Sequence, residues 1–173
     1  MLTEIYQRIS AHKSFDHTEE IAKRQTLRFI ESHPNSLERS CLPGHLTGSA
    51  WLVAPDRRST VLIHHKKLNR WLQPGGHADG NGNLFQVALD EASEETGLDL
   101  SIFIPVTNLI FDIDVHKIPK RGAEPAHTHY DIRYIFRYLK SIYRATMNHI
   151  RYDLSHLTKS KNSITPLLLR GWC

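Results

Sequence analysis

Residues 75–98, GGHADGNGNLFQVALDEASEETGL, combine a glycine-rich loop with a segment that carries an unusual amount of acid. Asn83 is a good N-cap residue, and Gln86 follows it three positions later, which is the spacing of a capping box. Gly97 is a typical C-cap residue, because glycine adopts the left-handed conformation of helix ends without strain. The stretch therefore predicts a loop followed by one helix that begins at Asn83 and ends at Gly97.

The predicted helix carries an apolar stripe beside an acidic stripe. At about 100° per residue, the apolar stripe holds Phe85, Ala88, Leu89 and Ala92, and the acidic stripe holds Asp90, Glu91, Glu94 and Glu95. Acidic residues one turn apart weaken a helix by roughly a few tenths of a kcal/mol per pair unless a positive charge neutralises them. A hard divalent cation, Mg²⁺ or Mn²⁺, suits such oxygen ligands. A solvated acidic face is the alternative, but the glycine loop lets a ligand approach the backbone closely and favours the cation.

The stretch resembles the Nudix box, G-x5-E-x7-R-E-U-x-E-E-x-G-U, in which U is an aliphatic residue. The spacing matches without a gap through Gly76, Glu91, Glu94, Glu95, Gly97 and Leu98, and a pattern of this length is a specific signal. Two positions depart from it, because Gly82 replaces the first glutamate and Asp90 replaces the arginine. The resemblance implies that those two family residues form an ion pair between loop and helix. Here both are lost together, so neither leaves a stranded charge, which favours a tolerated rearrangement.

The resemblance implies an α/β fold, an α/β/α sandwich around a mixed sheet that covers most of residues 44–157. It also implies a metal-dependent pyrophosphohydrolase that cleaves a diphosphate bond in a nucleoside diphosphate linked to another moiety. Mg²⁺ or Mn²⁺ would be held by Glu91, Glu94 and Glu95, with the Gly76 carbonyl as a further ligand, and would activate a water molecule. The glutamates would serve mainly as metal ligands.

The sequence does not identify which residue would act as the general base. Many Nudix enzymes place a loop glutamate late in the chain as the base, but residues 137–152 contain no Asp or Glu here. Candidates that could reach the water and titrate near neutral pH are a glutamate of the helix, Glu124, His77, His116, His127 and His129. Together with the two departures in the box, this absence leaves a second hypothesis, a nucleotide-binding or regulatory module that does not hydrolyse its ligand.

Length and composition bound the remaining possibilities. The 173 residues predict one domain over 1–173, with an N-terminal helical segment at 1–43 and the body at 44–173. A net charge of +4 with 12 histidines suits an anionic small molecule. This positive excess is modest and therefore weak evidence for nucleic acid, so an enzyme acting on RNA ends is only the third hypothesis. With two cysteines and no apolar run of membrane-span length, we expect a cytoplasmic protein with free thiols and no membrane partner.

Residues 2–33 have a helical pattern that breaks near Phe15 and Asp16. Asp16 and Glu19 have the capping-box spacing, so a second helix is predicted to begin there. The segment contains no pattern that requires chemistry. It is predicted to cover one side of the body or to form a homodimer contact.

Strands are predicted at residues 46–54 and 60–65, which form a hairpin, and the segment HHKKLNRWLQPGGH then leads to the glycine loop. Arg70, with Lys66 and Lys67, could bind substrate phosphate there, although a solvated turn is the commoner role of such residues. Trp71 is predicted to lie in the core, with stacking on a base as the second option.

Residues 111–116 and 127–139 alternate between apolar and polar positions, as half-buried strands do. Pairing them across residues 117–126 would bring His116 near His127 and His129, a polar group suited to metal binding or acid–base chemistry. We expect these histidines, with His77, to border the substrate cleft. A solvent-facing side of the sheet is the favoured interpretation for Asp112 and Arg133. A last strand is predicted at 150–154, with helical fragments at 155–169.

Overall fold

The computed structural model describes residues 2–55, 57, 59–65, 70–120, 122–138 and 152–153. These residues form three α-helices, one short 3₁₀ helix and nine strands. In chain order they are α1 (Leu2–Ala11), α2 (His17–Ser32), β1 (Gly44–Val53), β2 (Ser59–Thr60), β3 (Ile63–His65), β4 (Arg70–Leu72), β5 (Gly75–His77), α3 (Leu84–Thr96), the 3₁₀ helix (Leu100–Ile102), β6 (Phe103–Pro105), β7 (Asp112–Ile118), β8 (His127–Tyr138) and β9 (Tyr152–Asp153).

The main sheet is built around β1 and β8, which are parallel neighbours. Their register runs from Gly44 opposite Thr128 to Val53 opposite Arg137. Strands β2 and β5 pair antiparallel with β1, strands β6 and β7 pair antiparallel with β8, and β9 pairs antiparallel with β2. The sheet is therefore mixed, and the predicted mixed α/β fold is confirmed. The predicted hairpin of residues 111–116 with residues 127–139 is also confirmed, since β7 and β8 pair over seven residues of β7.

Helices α2 and α3 cover the same face of this sheet. Phe29 of α2 stacks on Tyr130 at a ring-centroid distance of 4.1 Å, and Phe85 of α3 meets the edge of Tyr134 at 5.2 Å. Tyr130 and Tyr134 point the same way, because they are four residues apart on β8. Fully buried Ile132 lies between them on that face. The main apolar core thus fills the space between the helices and one face of the sheet, while the other face carries polar side chains and a smaller apolar cluster of Trp51, Val53 and Ile135.

The N-terminal helices belong to this core. Asp16 caps α2 by accepting a hydrogen bond from the Glu19 backbone N at 2.8 Å, so the predicted break and the start of the second helix are confirmed. The carboxylate of Glu19 is buried, and it accepts a hydrogen bond from the backbone N of Ile113 on β7 at 3.1 Å. The segment therefore covers one side of the body, and the homodimer contact stays a prediction.

Two short strands replace the predicted strand at 60–65, and the prediction for Trp71 is wrong. Trp71 is 37% exposed and packs against His64 at a ring-centroid distance of 4.9 Å. It lies outside the core because β3 and β4 form a small separate sheet. Strand β9 falls within the predicted last strand, whereas Lys66, Lys67 and the helical fragments predicted at 155–169 lie outside the described residues.

The interpretation of Arg133 as a solvent-facing residue is also wrong. Its side chain is 12% exposed and binds three carboxylates, those of Asp112 at 2.6 Å, Asp114 at 2.9 Å and Asp131 at 2.9 Å. Asp131 is itself buried and also accepts a hydrogen bond from the Thr47 hydroxyl at 2.8 Å. The alternation of polar residues on β7 and β8 thus reflects a buried ion network.

Among the described residues, no helix is both long enough and apolar enough to span a membrane.

Candidate active site

The loop and helix of residues 75–98 form as their caps predict. The Asn83 side chain accepts a hydrogen bond from the Gln86 backbone N at 3.3 Å, which fixes the start of α3. Gly97 ends the helix in the left-handed conformation with φ of 69°, and its N–H donates to the Ser93 carbonyl. Both predicted caps are confirmed.

The acidic stripe of α3 stands over the glycine pair of β5. A Cβ atom on Gly76 would lie 1.8 Å from Glu91 Oε1, so glycine is the residue that leaves room for this carboxylate. Glu95 Oε2 accepts a hydrogen bond from the Gly75 backbone N at 3.1 Å. The side chain of Glu94 is exposed on the same helix. Two of the three predicted carboxylates, those of Glu91 and Glu95, therefore lie against a backbone without side chains.

Electrostatics at this place favour a cation. Burial raises the pKa of Glu91 above its ordinary value, and the neighbouring charges of Glu95 and Glu94 raise it further. Arg39 acts in the opposite direction. The donor set consists of carboxylate oxygens beside an accessible backbone, which fits a hard divalent cation such as Mg²⁺ or Mn²⁺.

The glycine loop is braced by a contact that the sequence did not predict. Arg39 Nε lies 2.6 Å from Asp79 Oδ1, and Arg39 Nη2 lies 2.7 Å from Asp79 Oδ2, which is a two-pronged ion pair. The Gly80 backbone N donates to the Leu37 carbonyl at 3.1 Å. The loop is therefore attached to the segment before β1. Asp90, at the arginine position of the box, instead accepts a hydrogen bond from the Gln86 side chain at 2.8 Å.

Four histidine rings come together beside β5. His45, His77, His127 and His129 each offer a ring nitrogen, and these four atoms all lie within 4.8 Å of one another. The hairpin also places His116 opposite His129, with ring centroids 5.5 Å apart, so the predicted approach of these two residues is confirmed. His45 is the member that sequence reasoning missed. It lies on β1, and only the parallel register with β8 sets it opposite His129.

Burial lowers the pKa of three of these rings, those of His45, His77 and His129. Burial, with the neighbouring His77 and His127, lowers the pKa of His45 to about 4. The Cys41 backbone acts in the opposite direction, although it does not form a hydrogen bond with the ring. Burial and the neighbouring rings lower the pKa of His129 to about 2, and burial also lowers that of His77. His129 therefore does not titrate near neutral pH, which weakens its case as a general base.

The carboxylates and the histidines lie on opposite faces of β5. Adjacent residues of a strand point in opposite directions. Gly76 faces Glu91 on α3, whereas the His77 ring contacts His45 and His129 at centroid distances of 4.8 and 5.0 Å. The role of the histidines in bordering a substrate cleft stays a prediction.

Two further predicted residues lie at the edges. Arg70 is exposed at the start of β4, in the small two-stranded sheet, and its contact with substrate phosphate stays a prediction. The Glu124 side chain is 57% exposed, with Oε1 3.8 Å from His127 Nε2. Glu124 thus remains a base candidate that solvent can reach.

Comparison with solved structures finds Nudix proteins. A C. elegans Ap4A hydrolase matches with a TM-score of 0.39 and 11% identity, over 65% of this chain and 82% of that one. A hydrolase of the NUDIX family from Clostridium perfringens matches with a TM-score of 0.40 and 18% identity, over 68% and 87%. The NUDIX domain of Shewanella oneidensis NrtR, solved with ADP ribose, matches with a TM-score of 0.39 and 21% identity, over 65% and 74%.

No protein-family model matches the chain, and no curated protein matches it. At these TM-scores the likeness adds nothing about chemistry, which depends on the side chains of this chain.

Proposed function

We propose that the chain is a metal-dependent hydrolase of the Nudix type, which cleaves a diphosphate bond in a nucleoside diphosphate linked to another moiety. The observation that carries the proposal is the gathering of acid at the glycine pair. Glu91 occupies the space that a side chain on Gly76 would fill, and Glu95 accepts a hydrogen bond from Gly75. The box spacing of the sequence supports the same residues in the same roles.

In this proposal Glu91, Glu94 and Glu95 hold Mg²⁺ or Mn²⁺, and the Gly76 carbonyl is a further candidate ligand. The bound cation supplies neutralisation of diphosphate charge and a water of lowered pKa. Glu91 is held half-buried against the loop, so its carboxylate is ordered before a ligand arrives. Phosphates would complete the coordination, as is usual for Mg²⁺ in proteins.

The ion pair between Arg39 and Asp79 favours hydrolysis over a module that only binds. The loss of the family's glutamate and arginine at Gly82 and Asp90 would leave the loop without its usual brace. Arg39 supplies another, because its guanidinium holds Asp79 with two short contacts. A fixed loop keeps Gly76 in place beside Glu91, and catalysis by a positioned metal depends on such placement.

A metal and substrate screen tests the proposal. The purified full chain is incubated with Mg²⁺ or Mn²⁺ and, in separate reactions, nucleoside triphosphates, ADP-ribose, nucleotide sugars, dinucleoside polyphosphates and coenzymes. Products are separated by chromatography, and a Glu94→Gln variant runs in parallel. We expect metal-dependent cleavage of one class at its diphosphate, which the variant loses. Nucleotide binding by calorimetry without turnover in any reaction would instead identify a binding module.

The brace can be tested separately. We expect Arg39→Met to lower kcat/KM by roughly tenfold to a hundredfold, because a loop displaced by about 1 Å misplaces the metal ligands. The pair is half exposed, so its loss should cost about 1 kcal/mol of folding free energy or less. Steady-state kinetics and thermal melts measure the two effects.

The matched control is Arg24→Met, which removes another exposed arginine that is paired with Glu20 at 2.9 Å. This variant should keep full activity. Asp79→Asn should reproduce the loss seen in Arg39→Met. Full activity in Asp79→Asn beside a loss in Arg39→Met would mean that the arginine acts on the substrate and that the loop needs no brace.

A further inference from the structure

The proposed hydrolysis rests on the glutamates, and the group of four histidines lies on the opposite face of β5 from them. We propose that His45, His77, His127 and His129 bind a transition-metal ion of the Zn²⁺ class. This inference is independent of the proposed function, because its ligands are different atoms on a different face of the sheet.

The four rings come from neighbouring strands of the central sheet. His45 on β1 is directly opposite His129 on β8. His77 on β5 is opposite Thr47, which shares a strand face with His45. His127 is two residues before His129 and therefore points to the same side. The ligands are held by paired strands, so little conformational freedom is left to lose when an ion binds.

The hydrogen bond of His127 fixes a tautomer that suits a metal. Its Nδ1 lies 2.9 Å from the Pro125 carbonyl oxygen, which can only accept a hydrogen bond, so Nδ1 carries the proton. The other nitrogen, Nε2, then presents a lone pair, and it faces His129 Nε2 at 3.0 Å. Metal-bound histidines commonly donate their second ring N–H to a backbone carbonyl in this way.

His45 has a buried polar group that needs a partner. The residue is 3% exposed, and among the described residues neither of its ring nitrogens has a hydrogen-bond partner. Leaving a buried donor or acceptor unsatisfied costs about 1–3 kcal/mol, and proteins rarely retain such a group without a use. The His45 ring lies 4.8 to 4.9 Å, between centroids, from the rings of His77, His127 and His129, and an ion held among them would give one of its nitrogens a partner.

The distances and the donor type select the ion. Nitrogens around a tetrahedral Zn²⁺ with bonds of about 2.1 Å lie about 3.4 Å apart. The four nitrogens here span distances up to 4.8 Å, with one pair at 3.0 Å, so small ring rotations bring them onto one ion. Imidazole nitrogen suits Zn²⁺, Co²⁺ or Ni²⁺, whereas Mg²⁺ prefers oxygen. The histidines on one face of β5 would therefore prefer a transition-metal ion, and the glutamates on the other face would prefer Mg²⁺.

Spectroscopic titration of the full chain tests the site. Untagged protein is freed of metal with a chelator and titrated with Co²⁺ in excess Mg²⁺, which competes with Co²⁺ for carboxylate oxygens. We expect one equivalent of Co²⁺ to bind with the visible absorption of a four-coordinate ion, and Zn²⁺ to displace it and raise the melting temperature. Wild-type protein that takes up no stoichiometric Co²⁺ or Zn²⁺ overturns the proposal without any variant.

Substitutions then assign the ligands. His129→Gln and His77→Gln should each weaken Zn²⁺ binding by more than about 100-fold, since even residues behind a metal ligand are worth about 10–100-fold. The control His17→Gln removes an exposed histidine at the start of α2 and should bind normally. Glu91→Gln should also bind normally, whether or not hydrolysis is found. Unchanged affinity in both ligand variants, with their fold retained by circular dichroism, overturns the assignment.

Discussion

Replacing Glu91 by glutamine should lower the turnover number by about 100- to 1000-fold at saturating metal and substrate. A bound cation contributes several kcal/mol of transition-state stabilisation, and about 1.4 kcal/mol corresponds to each factor of ten. Glutamine has nearly the same shape, so it fits over Gly76 as glutamate does, but it brings no charge. The expected loss is therefore one of chemistry, and the circular dichroism spectrum and melting temperature should stay close to those of the wild type.

Asp90→Asn is the matched control for this variant. It removes one negative charge from the preceding residue of the same helix, whose carboxylate accepts a hydrogen bond from the Gln86 side chain. We expect its turnover to remain within a few-fold of the wild type. Equal losses in Glu91→Gln and Asp90→Asn would show that the net charge of α3 matters and that Glu91 has no particular role. Near-normal turnover in Glu91→Gln would remove this residue from the mechanism.

Arg133→Met should lower the free energy of unfolding by about 3–5 kcal/mol, the cost of removing one partner from a buried ion pair. Methionine has a stem of similar length but leaves the carboxylates of Asp112, Asp114 and Asp131 without their shared cation. Asp131 is the most severe case, since it is 2% exposed and retains only neutral donors such as the Thr47 hydroxyl. Urea denaturation followed by circular dichroism measures the loss.

Arg137→Met provides the comparison, because Arg137 is four residues later on β8 and points to the same face of the sheet. We expect it to cost less than about 1 kcal/mol. If Arg133→Met is no more destabilising than Arg137→Met, the three carboxylates do not depend on the guanidinium, and the network is held by its neutral hydrogen bonds.

Signals from neighbouring residues were sufficient to predict several helix ends and strands. Asn83 and Gly97 fixed the two ends of α3, and Asp16 fixed the start of α2, because a cap is read from residues within one turn of it. The alternation of residues 111–116 and 127–139 predicted β7, β8 and their hairpin, because alternation is a pattern within a single strand and the two segments are close in sequence. The glutamates of α3 were found because helix periodicity places them on one side.

Contacts between distant segments were the part that local patterns missed. Arg39 and Asp79 are 40 positions apart, and nothing in either neighbourhood indicates that they meet. His45 joins the other histidines only through the parallel register of β1 and β8. Arg133 was predicted to face solvent because alternation along a strand shows which residues share the polar face. It does not show whether other side chains bury that face. Trp71 was misplaced because its short strand pairs outside the main sheet.

The central pair of strands has a consequence for how the chain folds. Thr47 and Asp131, which meet across β1 and β8, are 84 positions apart in sequence. Bringing such distant segments together costs loop entropy before any contact repays it, so this step is expected to be slow compared with hairpin formation. During synthesis β1 emerges long before β8, and until then one of its edges has no partner. That edge is a site for mispairing with other chains, so expression at low temperature or with chaperones should favour correctly folded protein.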